Sequence, residues 1–127
     1  ADTFFYLALL NAKDRHHEKA RELNRIDGPV VTSWWVMLEL ADHLSDVNNR
    51  HLFSQVLSAI QSDPRYELIP TNQRLLDSAS RMYFDRSDKE WSLTDCTSFQ
   101  IMQSRGLVHA LTGDHHFQQA GFQIEFT

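Results

Sequence analysis

A chain of 127 residues is long enough to bury one core, and a single domain over residues 1–127 is expected. The apolar fraction of 42% reads as globular, and no apolar run approaches the roughly 20 residues of a bilayer crossing, which argues against a membrane partner. A net charge of −5 argues against a general nucleic-acid coat, which is normally basic, but leaves room for a site of clustered acids or a basic protein partner.

With only four glycines and three prolines, the chain is expected to be mostly regular structure. Residues 4–10 are apolar and helical in character. Residues 15–23 read as a polar helix with His16, Ala20 and Leu23 on one stripe. Gly28-Pro29 breaks the chain, and Val30-Val31-Thr32 is a short strand. Residues 34–44 form a helix whose expected inward stripe is Trp34, Met37, Leu38, Ala41 and Leu44. Residues 50–60 repeat the pattern with Leu52, Phe53, Val56, Leu57 and Ile60. Asp63-Pro64 turns the chain into a strand at 66–69. A helix follows at 72–86 with Leu75, Leu76, Ala79, Met82 and Tyr83 inward. The remaining elements are a helix at 93–105 stopped by Gly106, a strand at 108–111, a short helix at 114–119 and a strand at 122–126. Short strands alternating with helices predict an α/β fold, a three-layer α/β/α arrangement with a short, mainly parallel central sheet. The lone Cys96 cannot form an internal disulfide and fits a reducing, cytoplasmic setting.

Four acids stand at the tips of these elements: Asp2, Glu39, Asp95 and Asp114. Parallel sheets bind ligands at the strand C-termini, and the topology can bring all four to that edge. Each has an ordinary explanation. Asp2 and Asp114 can cap the helices that follow them, Ser92-x-x-Asp95 resembles a capping box, and a lone helical Glu such as Glu39 is usually solvated. Asp42, one turn after Glu39, reads as a solvated helix acid. Trp34, Trp35 and Trp91 read as core or a covered surface, and Cys96 as core. In the pairs His16-His17 and His115-His116, neighbours on a helix diverge by about 100°, so neither is expected to chelate.

Four blocks in order carry a resemblance. They are Asp2-Thr3-Phe4-Phe5 running to Asp14-Arg15-His16-His17; Thr32 to Leu44 around Glu39-Leu40-Ala41-Asp42; Leu93-Thr94-Asp95-Cys96 followed by Ser98-Phe99, Met102 and Arg105-Gly106; and Ala110-Leu111-Thr112-Gly113-Asp114 followed by His116-Phe117. Over nearly its whole length the chain resembles a PIN domain of the VapC type, the toxin ribonucleases of bacterial toxin–antitoxin pairs. The resemblance implies that Asp2, Glu39, Asp95 and Asp114 bind metal, that Mg²⁺ or Mn²⁺ is the cofactor, that RNA is the substrate, and that a cognate antitoxin and a homodimer are the partners. Phe4 departs from the family, in which Ser, Asn or Thr is common beside the first Asp. Such a domain also carries a short apolar strand ahead of that Asp, so a strand is expected before Asp2.

Such a site answers a chemical difficulty. A phosphodiester is anionic and repels hydroxide, and a carboxylate-held divalent ion screens it, acidifies a bound water and stabilises the leaving oxygen. Thr94 and Thr112 are expected to hydrogen-bond the carboxylates, and His115 and His116 to reach the phosphate. The alternative is a catalytically weak PIN-fold module that binds RNA or protein. A phosphatase-like enzyme with Asp2 as nucleophile would want a second Asp at position 4, where Phe4 stands. Asp114-His115-His116 spells the signature of a larger phosphoesterase family whose other motifs are missing here.

Overall fold

The first helix, α1 (Thr3–Leu10), is apolar on every side and buries Phe5, Tyr6 and Ala8. The polar α2 (His17–Asn24) buries only Ala20 and lies against it. The computed structural model describes residues 1–127. The chain continues through β1 (Val30–Ser33), α3 (Trp34–His43), α4 (Arg50–Ser62), β2 (Tyr66–Ile69), α5 (Gln73–Asp85), α6 (Leu93–Arg105), β3 (His109–Ala110), α7 (His115–Gln119) and β4 (Gln123–Ile124). Ser33 caps α3 by accepting from the Val36 amide, and Asn72 caps α5 by accepting from that of Leu75. Gly106, at φ 65°, takes the left-handed conformation that ends α6, where a side chain would be strained. No helix is long and apolar enough to cross a membrane.

The expected α/β/α layering is present, but the strands form two parallel pairs. Val30 lies opposite Tyr66 and Ser33 opposite Ile69 in one; His109 lies opposite Gln123 and Ala110 opposite Ile124 in the other. No ladder joins β1 to β3. The first two residues touch both pairs: the Ala1 amino group donates to the Val31 carbonyl (2.6 Å) and the Asp2 amide to that of Leu111 (3.2 Å). Behind them runs a cavity of about 350 Å³ lined by Val30, Val31, Ile101, Met102, Leu107 and Leu111 among others.

The core is divided the same way. One cluster gathers Phe5, Tyr6, Val36, Met37, Leu40, Ile60 and Phe126. The other gathers Trp91, Cys96, Phe99, Met102, Phe117, Phe122 and Ile124, with Phe99 edge-on to Phe117 at 4.9 Å. Each fully buried aromatic or aliphatic side chain contributes about 1.5–3 kcal/mol. Two expected inward positions are corrected. Leu38 is 54% exposed, because the buried face of α3 runs through Val36, Met37 and Leu40 instead. Tyr83 is also exposed, at the C-terminal end of α5 where only Ala79 is fully buried.

Candidate active site

The four acids come in pairs from the two halves of the core. Asp2 opens α1 and Glu39 lies on α3, both in the first half; Asp95 is in the first turn of α6 and Asp114 precedes α7, both in the second. Hydrogen bonds through the Thr112 hydroxyl join the halves. Fully buried, Thr112 donates from Oγ1 to Asp2 Oδ2 (3.0 Å) and accepts there from the Asp114 amide (3.1 Å). The expectation for Thr112 is thus matched by a direct contact. That for Thr94 is not: its carbonyl accepts from the Thr97 hydroxyl, and no hydrogen bond joins it to the acids. The hydroxyl that serves Glu39 is that of Thr3, which donates to Oε1.

Asp2 sits at the N-cap position of α1 yet makes no capping bond, so its burial at 7% exposure has no such explanation. Asp95 and Asp114, by contrast, do make capping bonds. Asp95 Oδ2 accepts from the Ser92 amide (3.1 Å) while the Ser92 hydroxyl accepts from the Asp95 amide (2.9 Å), and Asp114 Oδ1 accepts from the His116 amide (2.9 Å). Burial pushes the Asp2 carboxyl up to about 6; the Thr112 hydroxyl opposes this, and the charges of Asp95 and Glu39 add to it. Asp95 is also raised, first by burial and then by Asp114 and Glu39, against the pull of the Ser92 amide and His116. No Lys or Arg lies within salt-bridge distance of the four; their near neighbours of opposite character are His115 and His116.

His116 Nδ1 lies 3.3 Å from both Asp95 Oδ2 and Asp114 Oδ1. At the start of α7, His115 and His116 converge rather than diverge, with ring centroids 4.4 Å apart. Asp114, His115 and His116 thereby place ligand atoms within 4.8 Å of one another, whereas no three of the four carboxylates come that close. Each carboxylate is instead held by its own neutral donor: Thr112 for Asp2, Thr3 for Glu39, and backbone amides for Asp95 and Asp114. Oxygen-rich, partly buried and with no Lys or Arg in salt-bridge distance, this donor set fits a hard divalent cation.

Sequence reading missed a further contact. Gly113 does not have a positive φ, yet a Cβ there would stand 2.5 Å from Cζ of Phe4. The ring that departs from the family pattern thus lies on the loop that carries Asp114, and is braced by His16 (5.0 Å) and Phe126 (5.2 Å). Gly113→Ala is therefore expected to cost about 1–3 kcal/mol of stability, read as a lowered melting temperature, and an unchanged melting temperature would show that the Phe4 ring gives way to the methyl group.

No family model matches the chain. Two curated relatives do, the 23S rRNA-specific endonucleases VapC20 of Mycobacterium tuberculosis strains CDC 1551 / Oshkosh and ATCC 25618 / H37Rv. Each is 32% identical over 124 residues, covering 95% of this chain and 92% of the relative. Among solved structures, the crystal structure of M. tuberculosis VapC20, described as a sarcin–ricin loop cleaving toxin, superposes with a TM-score of 0.85 at 28% identity, covering 96% of this chain and 94% of that one.

Proposed function

The chain belongs to the VapC family of PIN-domain toxin ribonucleases, and from that premise we propose that it hydrolyses RNA with Mg²⁺ or Mn²⁺ held by Asp2, Glu39, Asp95 and Asp114. The observation that carries the metal site is the pair of buried carboxylates, Asp2 and Asp95, with no Lys or Arg to neutralise them. When bound, a divalent ion supplies charge screening and an acidified water. Asp2 and Asp95 are the direct ligands of a first ion. Asp114 shares it or holds a second. Glu39, its carboxylate fixed by Thr3, ligates the second or orients the attacking water. Thr112 fixes Asp2 relative to the Asp114 backbone, and His115 and His116 face the phosphate beside Asp114.

Ribosomal RNA is the substrate class to test first, and within it the sarcin–ricin loop on which the structural neighbour acts. The partners are a cognate antitoxin, which would cover the acidic cleft with an Arg or Lys, and a second copy of the chain. The test is digestion of a mixed transfer and ribosomal RNA pool in Mg²⁺, in Mn²⁺ and in EDTA. Discrete fragments that appear with either ion, vanish in EDTA and return when metal is restored are expected. Fragments that persist unchanged in EDTA would remove the metal from the mechanism.

A further inference from the structure

An acidic protein whose site is itself acidic gives RNA little reason to approach. Attraction has to come from another part of the surface, and the charges are unevenly spread. Residues 13–25 hold five Lys and Arg (Lys13, Arg15, Lys19, Arg21 and Arg25) against three acids (Asp14, Glu18 and Glu22). The remainder of the chain holds seven basic residues against fourteen acidic ones. Pairing sharpens the contrast. Arg21, Arg65, Arg86, Lys89 and Arg105 each lie within salt-bridge distance of a carboxylate. Seven cations do not, and four of those seven are Lys13, Arg15, Lys19 and Arg25, all exposed.

The backbone of this stretch is fixed, and ring contacts link it to the loop that carries Asp114. In the turn between α1 and α2 the Lys13 amide donates to Asn11 Oδ1 (3.0 Å) and the His16 amide to Asp14 Oδ1 (2.8 Å). His17 Nδ1 lies 2.9 Å from the Ala8 carbonyl, which ties the start of α2 to α1. The Arg15 guanidinium lies against the His16 ring (Nε to Nε2, 3.1 Å), that ring packs on Phe4, and Phe4 lies on Gly113, next to Asp114. A short chain of contacts thus runs from an unpaired guanidinium to the edge of the carboxylate site.

We propose that the α1–α2 turn and the start of α2 form a phosphate-docking rim, in which Lys13 and Arg15 hold the RNA backbone to one side of the scissile phosphate. Lys19 and Arg25 add to the field that draws the strand in. The proposal rests on the ribonuclease reading of the acid site and extends it to how the substrate is held. Phosphate contacts of this kind give affinity without sequence preference and show themselves through salt dependence.

The test is fluorescence anisotropy with a labelled RNA hairpin and single-stranded flanks, in Mg²⁺, over a series of KCl concentrations. An Asp95→Asn background, expected to cut far more slowly, lets binding be read ahead of cleavage. Into it go Lys13→Ala with Arg15→Ala, or, as a charge-matched control, Arg74→Ala with Arg81→Ala, two exposed cations of α5 that also lack a carboxylate partner. The rim variant is expected to bind about tenfold more weakly, with a salt slope less steep by about 1.4, while the control keeps the parent values. In the cleaving background the rim changes should raise KM more than they lower kcat. Equal losses in rim and control variants would reduce the effect to net charge and overturn the rim. So would unchanged binding by the rim variant in a protein whose parent cuts RNA. A parent that neither binds nor cuts RNA in any metal would overturn the ribonuclease reading, and the rim with it.

Discussion

Replacing Asp95 by Asn is expected to slow RNA cleavage by about 10²–10³-fold, corresponding to the loss of several kcal/mol of charge stabilisation, without destabilising the metal-free fold. Asp95 has two separable roles. Its backbone amide donates to the Ser92 hydroxyl and its Oδ2 accepts from the Ser92 amide, so the residue closes the first turn of α6. An Asn amide oxygen can accept the same bond, and the backbone donor is untouched. What Asn removes is one carboxylate near Asp114 and Glu39, two charges that already push the Asp95 carboxyl upward. Ser92→Ala makes the complementary change, removing the cap hydroxyl and leaving the acid, and should cost about 1 kcal/mol of stability. Initial rates of fragment formation, read beside melting curves, separate the roles. If Asp95→Asn still cuts within about fivefold of the parent, Asp95 is not in the site. If its melting temperature falls as far as that of Ser92→Ala, the cap explains the loss.

Much of this was legible from local pattern. The apolar spacing of residues 93–105 and the glycine after them give α6 and its end, and the runs ahead of Glu39 and Asp114 give the elements that carry them. Where the pattern misled, burial depended on long-range packing. Leu38 continues the apolar series of its helix, yet α3 turns a different face inward. Tyr83 lies near a helix end that the core does not reach. Local spacing also could not show that the strands divide into two pairs, because strand pairing is set by contacts between residues far apart in the chain. Within the site, Asp2, Glu39, Asp95 and Asp114 were visible as acids at element tips, and Thr112 as a hydroxyl two residues from Asp114. The Thr3 hydroxyl on Glu39 spans 36 positions, and only the packing of α1 on α3 creates it. Gly113 looked like an ordinary turn glycine. Its need for a hydrogen side chain comes from a ring 109 positions away, and no spacing rule encodes that. The charge in residues 13–25 is visible in the sequence; the ring contacts that link it to the loop carrying Asp114 are not.

In metal-free buffer at pH 7.5, Asp2→Asn is expected to melt on the order of 5–10 °C above the wild type, and the order should reverse when Mg²⁺ or Mn²⁺ is added. The cause is the buried Asp2 carboxyl, pushed up to about 6 from an ordinary value of 3.8, mainly because burial disfavours its charge. A carboxyl raised in the folded state favours the fold while protonated. That contribution is complete below about pH 4 and is lost as the pH rises through 6. At pH 7.5 the ionised group therefore burdens the empty fold by about 3 kcal/mol. Asn resembles the protonated acid and can still accept the Thr112 hydroxyl, so it escapes the burden at high pH and gains nothing at low pH. The difference between the two proteins should shrink as the pH falls from 7 to 5 and nearly vanish by pH 4. A bound divalent ion inverts the order, because it stabilises the ionised carboxylate of the wild type, while the variant has lost that ligand. Calorimetric melts of both proteins across pH, with EDTA and with each metal, read all of this at once. A difference that ignores pH would show that ionisation of Asp2 is not its source. Equal stabilisation of both proteins by metal would place the ion away from Asp2 and leave Asp95, Asp114 and the two histidines to hold it.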